Sequence, residues 1–296
     1  MNKKVRIIGI PMDLGQTHRG VSMGPGALRY SGLTSALNNL GYIVEDFGDI
    51  NVPIRDAILD NNKIKFMPII QKICESAYIE GEKAIQEGYI PIFLGGDHSI
   101  SIGTVGGVSS KEPIGLIWID AHGDFNTFET TKTCNIHGMP LSALLNYGDK
   151  KLTDIGRNGP KVVANNVVLI GLRKADIGEQ LLIKSSGITV YTMKDIDERG
   201  MSSIAQSIAK KFDKLNKIHI SLDIDCLDPA IAPGVGTPVN GGITYREAHL
   251  LMEIISSTNK ISSLDIVEVN PMFDIKNQTA LIAVELTVSL LGKAIL

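Results

Sequence analysis

The stretch Ile114-Gly115-Leu116-Ile117-Trp118-Ile119-Asp120-Ala121-His122-Gly123-Asp124 joins an apolar run to a segment in which every second side chain is ionisable. A second run, Ile218–Leu222, leads in the same way into Asp223-Ile224-Asp225. A strand places alternate side chains on one face. Asp120, His122 and Asp124 are therefore expected to point one way where the first strand frays into a loop, and Asp223 and Asp225 likewise on the second. Unpaired carboxylates at the ends of buried strands would repel one another and lose their hydration. Bound cations remove both costs, so the pattern predicts a binuclear divalent-metal site.

Outward from these runs, apolar and β-branched segments recur at Val5–Ile10, Ile90–Leu94, Val167–Leu172, Ile188–Thr192 and Ser263–Val269. Helical periodicity falls between them, over Phe66–Glu87, Ile100–Val108, Pro140–Tyr147, Met201–Leu215, Thr244–Ser257 and Asn277–Ala294. Thr244-Tyr245-Arg246-Glu247 has the spacing of a capping box. Near-continuous apolar strands alternating with helices predict an α/β protein whose mostly parallel central sheet is covered on both faces. No linker, repeat or low-complexity tract divides the 296 residues, so a single domain over 1–296 is expected. Gly123–Gly138 and Cys226–Gly242 are long loops directly after strands, where binding sites of open α/β sheets lie.

The charge balance excludes several classes of function. A net charge of -3 with scattered basic residues argues against nucleic acid or an anionic membrane as partner. Cys74, Cys134 and Cys226 form no C-x-x-C pair and are odd in number, which fits a reducing cytoplasm better than a disulfide framework. Arg6 interrupts any signal-peptide core, and Glu285 and Lys293 interrupt the apolar stretch from Thr279 to Leu296. That stretch reads as a buried helix and not a membrane span.

The candidate ligands are His98, Asp120, His122, Asp124, Asp223 and Asp225. Four carboxylates and two imidazoles without a thiolate suit Mn²⁺ better than structural zinc, and the negative charges balance two dications. In Gly95-Gly96-Asp97-His98-Ser99 the residues alone also allow a glycine turn opening a helix, with Asp97 or Ser99 as its N-cap. His137, in Asn135-Ile136-His137-Gly138, reads on the residues alone as a solvated or structural loop histidine. Glu268 ends another apolar strand and calls for a cationic ligand or an arginine beside it. Asp228, before Pro229, suits a turn. His219 reads as a core histidine, His18 and His249 as surface or helix residues, and Cys226 as a small buried filler.

Together these segments resemble the ureohydrolase family and, within it, the bacterial arginase branch. The resemblance rests on Gly-Gly-Asp-His98-Ser, Asp120-Ala-His122-Gly-Asp124-Phe-Asn126-Thr, Asn135-Ile-His137-Gly-Met-Pro, Ser221-Leu-Asp223-Ile-Asp225-Cys-Leu-Asp-Pro229 and Asp265-Ile-Val-Glu268-Val-Asn-Pro271. Gly9–Gly15 and Gly24–Arg29 are similar to the family's opening, so the likeness spans the chain in family order. It implies a three-layer α/β/α fold and two Mn²⁺ per subunit. One ion would be held by His98, Asp120, Asp124 and Asp223, the other by His122, Asp120, Asp223 and Asp225. A metal-bridging hydroxide would attack the guanidinium carbon of L-arginine to give L-ornithine and urea. Asp124 would orient the hydroxide, His137 would shuttle a proton and Glu268 would pair with the guanidinium.

The resemblance further implies that Asn126 and Thr133 meet the substrate α-carboxylate, that Asp176 and Glu179 hold its α-ammonium, and that Thr237 lines the guanidinium pocket. Agmatinase, which takes the same head group without the carboxylate, is the alternative. A homo-oligomer, trimer or hexamer, is the family expectation. One departure stands out: arginases commonly carry Ser-Gly before the Asn-x-His-Gly motif, where this chain has Thr133-Cys134. A cysteine there is strained if the position needs positive φ.

Overall fold

The computed structural model describes residues 3–58 and 66–293. Among them, eight strands form one sheet: β1 Lys4–Ile10, β2 Ile43–Asp49, β3 Tyr89–Gly95, β4 Gly115–Ile119, β5 Val167–Leu172, β6 Thr189–Thr192, β7 Ile218–Asp223 and β8 Ile261–Val267. Every pairing is parallel, in the order β2-β1-β3-β8-β7-β4-β5-β6. Alternation along the strands divides the interior in two. In β4, Ile117 and Ile119 pack on one face with the helices Met201–Lys211, Tyr245–Ser256 and Gln278–Leu290. Leu116 and Trp118 pack on the other with Met67–Gln86, Ser101–Val108 and Pro140–Leu144. This is the expected three-layer α/β/α arrangement.

All expected strands are present. β8 stops two residues early because Glu268 turns into the left-handed region, at φ 64. β2 was not expected. It is an edge strand whose acids face solvent and are met by Arg6 and Arg29, so it lacks the apolar run that marks the others. The predicted helices are present but shorter at several ends, and Ala294 lies outside the described residues. Thr244 does cap its helix reciprocally: its Oγ1 accepts the Glu247 N–H at 3.3 Å, and Glu247 Oε2 accepts the Thr244 N–H at 2.9 Å.

Helices Gly24–Tyr30, Leu33–Asn39, Lys150–Thr153, Ile177–Ser186 and Met193–Arg199 add to those expected. The glycines of Ser101–Val108 have a steric reason. A Cβ at Gly103 would lie 2.1 Å from the Cys74 carbonyl oxygen, so only glycine lets this helix approach Met67–Gln86. That close packing seats the segment beginning at His98 beneath the carboxyl ends of the strands.

Candidate metal centre and active site

The four central strands, β3, β8, β7 and β4, all deliver ionisable residues at their carboxyl ends. The convergence does not come from the pleat, as the alternation argument expected. β4 ends at Ile119, and Asp124 lies in the left-handed region at φ 50. Three of the four strands instead end in or lead into an aspartate that accepts the amide N–H two residues on: Asp97 after β3 from Ser99 at 3.1 Å, Asp120 after β4 from His122 at 2.7 Å, and Asp223 at the end of β7 from Asp225 at 2.9 Å. These turns mimic a backbone turn and fold the following residue back toward the sheet edge. Asp97 is thus the N-cap of the short helical turn at His98, while His98 itself joins the cluster.

His98 Nδ1 lies 3.0 Å from Asp124 Oδ2, 3.2 Å from Asp223 Oδ2 and 3.3 Å from Asp120 Oδ2. One ring N–H can serve only one of three carboxylates. In fact Nδ1 and Asp124 Oδ2 are buried without any aligned hydrogen bond. Buried polar atoms left this way are costly, and a cation among them satisfies both. His98, Asp120 and Asp223 form one group of donor atoms mutually within 4.8 Å, and Asp120, His122 and Asp225 form a second. Asp120 belongs to both. His122 Nδ1 stands 3.0 Å from Asp225 Oδ2.

The electrostatics agree. Burial, then the neighbouring Asp120 charge, pushes Asp124 up to about 7. Burial, then Asp225 and Asp120, holds Asp223 well above the carboxylate range. Burial also opposes charge on His122, yet Asp225 and Asp120 raise it to about 12. Groups shifted this far from their ordinary ionisation cluster at functional sites. Trp118 completes the packing, its Nε1 donating to Asp120 Oδ2 at 3.0 Å and its ring stacking on His98 at 4.0 Å.

A cavity of about 430 Å³ opens above the cluster. Its walls include His122, Asp124, Asn126, Thr133, His137, Asp176, Glu179, Asp223, Asp225 and Thr237, so most residues named from the sequence share one space. Thr237 Oγ1 donates to Asp225 Oδ2 at 3.2 Å.

Glu268 is buried behind the cavity wall, and among the described residues no arginine meets it. Its partners are His137 Nδ1 at 3.0 Å, the His98 amide at 3.0 Å and Gln16 Nε2 at 2.8 Å. Asp176 and Glu179 have a structural duty as well, as the reciprocal cap of the helix Ile177–Ser186. Both Glu179 oxygens accept backbone N–H groups, from Phe125 at 2.8 Å and Asp176 at 3.0 Å. Asp176 Oδ1 accepts from Lys132 Nζ at 2.8 Å.

Gln16, His18, Thr131, Asn135 and Lys174 also reach the site, and none of them is among the site residues expected from the sequence. For Gln16 the available signal was its place just after the Gly9–Gly15 motif. His18 is exposed as expected, yet it lines the cavity. His219 and Cys226 are buried core residues, Asp228 caps a turn, and His249 is a buried helix residue. The described residues contain no helix long and apolar enough to cross a membrane, and all three cysteines are free.

Cys134 lies at φ 59, so the suspected strain is real. The left-handed region costs a non-glycine residue roughly 1–2 kcal/mol, against up to about 1 kcal/mol of extra chain entropy for glycine. Cys134→Gly should therefore raise the thermal midpoint by about 2 °C. A lower midpoint by calorimetry would mean that side-chain packing outweighs the strain.

A parallel sheet with a buried His–Asp cluster at its carboxyl edge defines a metal-dependent enzyme of the α/β class. The arginase family model matches residues 3–292. An arginase of Bacillus subtilis is 47% identical over 100% of both chains. The solved arginase of Bacillus caldovelox superposes with a TM-score of 0.96 at 45% identity, covering 100% of both chains. An Entamoeba histolytica arginase solved in complex with L-ornithine gives a TM-score of 0.89 at 30% identity, covering 99% of this chain and 100% of that one. The chain belongs to the arginase family, as a bacterial-type member of the ureohydrolases.

Proposed function

We propose that this protein hydrolyses the guanidinium group of L-arginine to L-ornithine and urea, using two manganese ions per subunit. The observation that carries the reading is His98 Nδ1, enclosed by three carboxylates within 3.3 Å and bonded to none. His98, Asp120, Asp124 and Asp223 would hold one ion, and Asp120, His122, Asp223 and Asp225 the other. Metal ions held there would supply a water nucleophile of lowered pKa, available at neutral pH for attack on the guanidinium carbon.

The remaining steps belong to the chain's own groups. Asp124 Oδ2 faces into the cluster and would orient the nucleophile, then take its proton as the tetrahedral carbon forms. Glu268, held by Gln16 and the His98 amide, would receive the guanidinium, a planar cation suited to a carboxylate. The guanidinium then competes with His137 for Glu268 Oε1, which frees the imidazole to protonate the departing amine. At the outer end, Asn126 and Thr133 line the cavity where an α-carboxylate would rest. Asp176 already holds an ammonium, that of Lys132. The substrate's own α-ammonium would displace it, with Glu179 fixing the Asp176 amide. Support for arginine over agmatine comes from the family match at full length and from Asn126, since both substrates carry an ammonium.

Urea release from arginine, agmatine and guanidinobutyrate with manganese added tests the assignment. Arginine should be turned over at least about tenfold better than agmatine, a difference of roughly 1.4 kcal/mol in transition-state binding. Activity confined to agmatine would overturn the choice, and activity toward none would leave a metal-binding scaffold.

A further inference from the structure

Beneath the metal centre lies a second polar cluster that no step above uses. Ser101, Thr104, His219, Ser221 and Asp265 are all fully buried. Ser221 and Asp265 are cross-strand partners on β7 and β8, and Ser101 begins the helix packed below them. Asp265 Oδ2 accepts from both Ser101 Oγ and Thr104 Oγ1, each at 2.7 Å. His219 Nε2 stands 3.4 Å away, and Asp265 Oδ1 has no partner.

The hydrogen-bond directions follow from this end. A hydroxyl has one proton to give, and Ser101 spends its proton on Asp265. Its contact with Ser221 Oγ at 3.2 Å must therefore be one it accepts. Ser221 has then given its own proton, so at its other contact, 2.9 Å from His98 Nε2, it too must accept. The donor there is Nε2–H. With the ring proton on Nε2, the lone pair of His98 lies on Nδ1, the atom facing Asp120, Asp124 and Asp223.

We propose that Asp265 is a positioning residue for the metal centre, setting the His98 tautomer through Ser101 and Ser221. The relay keeps Nδ1 available as a metal ligand and makes the ring a stronger donor. This rests on the reading of His98 as a ligand. Partners that orient a ligating histidine typically change metal affinity 10- to 100-fold when removed.

Two substitutions separate the relay from simple core support, because each removes one hydrogen bond to the same carboxylate oxygen. Ser101→Ala cuts the chain to His98, whereas Thr104→Val leaves it intact. Manganese binding is measured on the metal-free proteins by equilibrium dialysis with elemental analysis, without reference to turnover. Ser101→Ala should weaken one of the two sites about 10- to 100-fold, while Thr104→Val stays within about twofold. If Ser101→Ala does not fold, Ser221→Ala breaks the same chain one link nearer to His98 and should give the same loss. Equal weakening by Ser101→Ala and Thr104→Val, or native affinity in Ser101→Ala, overturns the relay while leaving the metal reading intact. A native protein that binds no manganese overturns both, and is told apart by that control alone.

Discussion

Asp223→Ala should leave a folded protein that holds neither manganese ion, with turnover lower by about three powers of ten or more. Metal-derived stabilisation of a developing charge amounts to several kcal/mol, and each 1.36 kcal/mol is a factor of ten in rate. On the proposed assignment Asp223 would act at both positions. Its Oδ2 stands 3.2 Å from His98 Nδ1, and its Oδ1 accepts the Asp225 amide at 2.9 Å. Alanine would thus remove one proposed ligand and release the turn that aims Asp225 at His122, 3.0 Å away. Elemental analysis of the manganese-reconstituted variant, with circular dichroism to confirm folding, provides the readout. Retention of both ions would contradict the bridging assignment. Asp223→Asn keeps an oxygen for the Asp225 amide while discarding the charge, so it should fall between the two. Loss of metal also withdraws a ligand from the native state, about 2.7 kcal/mol at a hundredfold excess over Kd. The alanine variant should therefore not gain thermal stability when manganese is added.

The strands were readable because parallel strands covered on both faces leave near-continuous apolar runs. Their spatial order was not. β7 and β8, late in the chain, insert between β3 and β4, an adjacency that depends on packing between segments more than a hundred residues apart and leaves no local mark. The edge strand β2 was missed for the opposite reason: half exposed and acidic, it has no apolar run to read.

At the site, the ionisable residues after β4 and β7 were legible by position, but the reason offered for their convergence was the wrong one. Aspartate turns, not the pleat, bring them together. The pairing of Asp176 with Glu179 shows how one local pattern carries two meanings. Its three-residue spacing is a capping box, which the structure displays, and the same carboxylates line the cavity. Gln16 meets Glu268 from 252 positions away in the chain, so the motif beside Gln16 could point to the site but not to this partner.

His137→Asn should lower kcat roughly 10²- to 10⁴-fold, the range for a lost general acid, while manganese content stays normal. The difference from Asp223→Ala follows from geometry. His137 belongs to neither group of donor atoms, and its Nδ1 is engaged with Glu268 at 3.0 Å. Its burial disfavours charge, but the hydrogen bond and charge of Glu268 raise it to about 9. The imidazole is therefore protonated at neutral pH and able to give a proton to the leaving amine. Native kcat/KM, which reports the free enzyme, should fall as pH rises through about 9, and the asparagine variant should lack that limb.

The same pair links folding to pH. Because the folded value lies above the ordinary 6.5, its stabilisation is fully present below 6.5 and is lost as pH rises through about 9. The gap in urea midpoint between native protein and His137→Asn should accordingly narrow across that window. A variant that loses manganese together with activity would instead make His137 part of the metal centre. One that keeps the alkaline limb would assign that titration to another group.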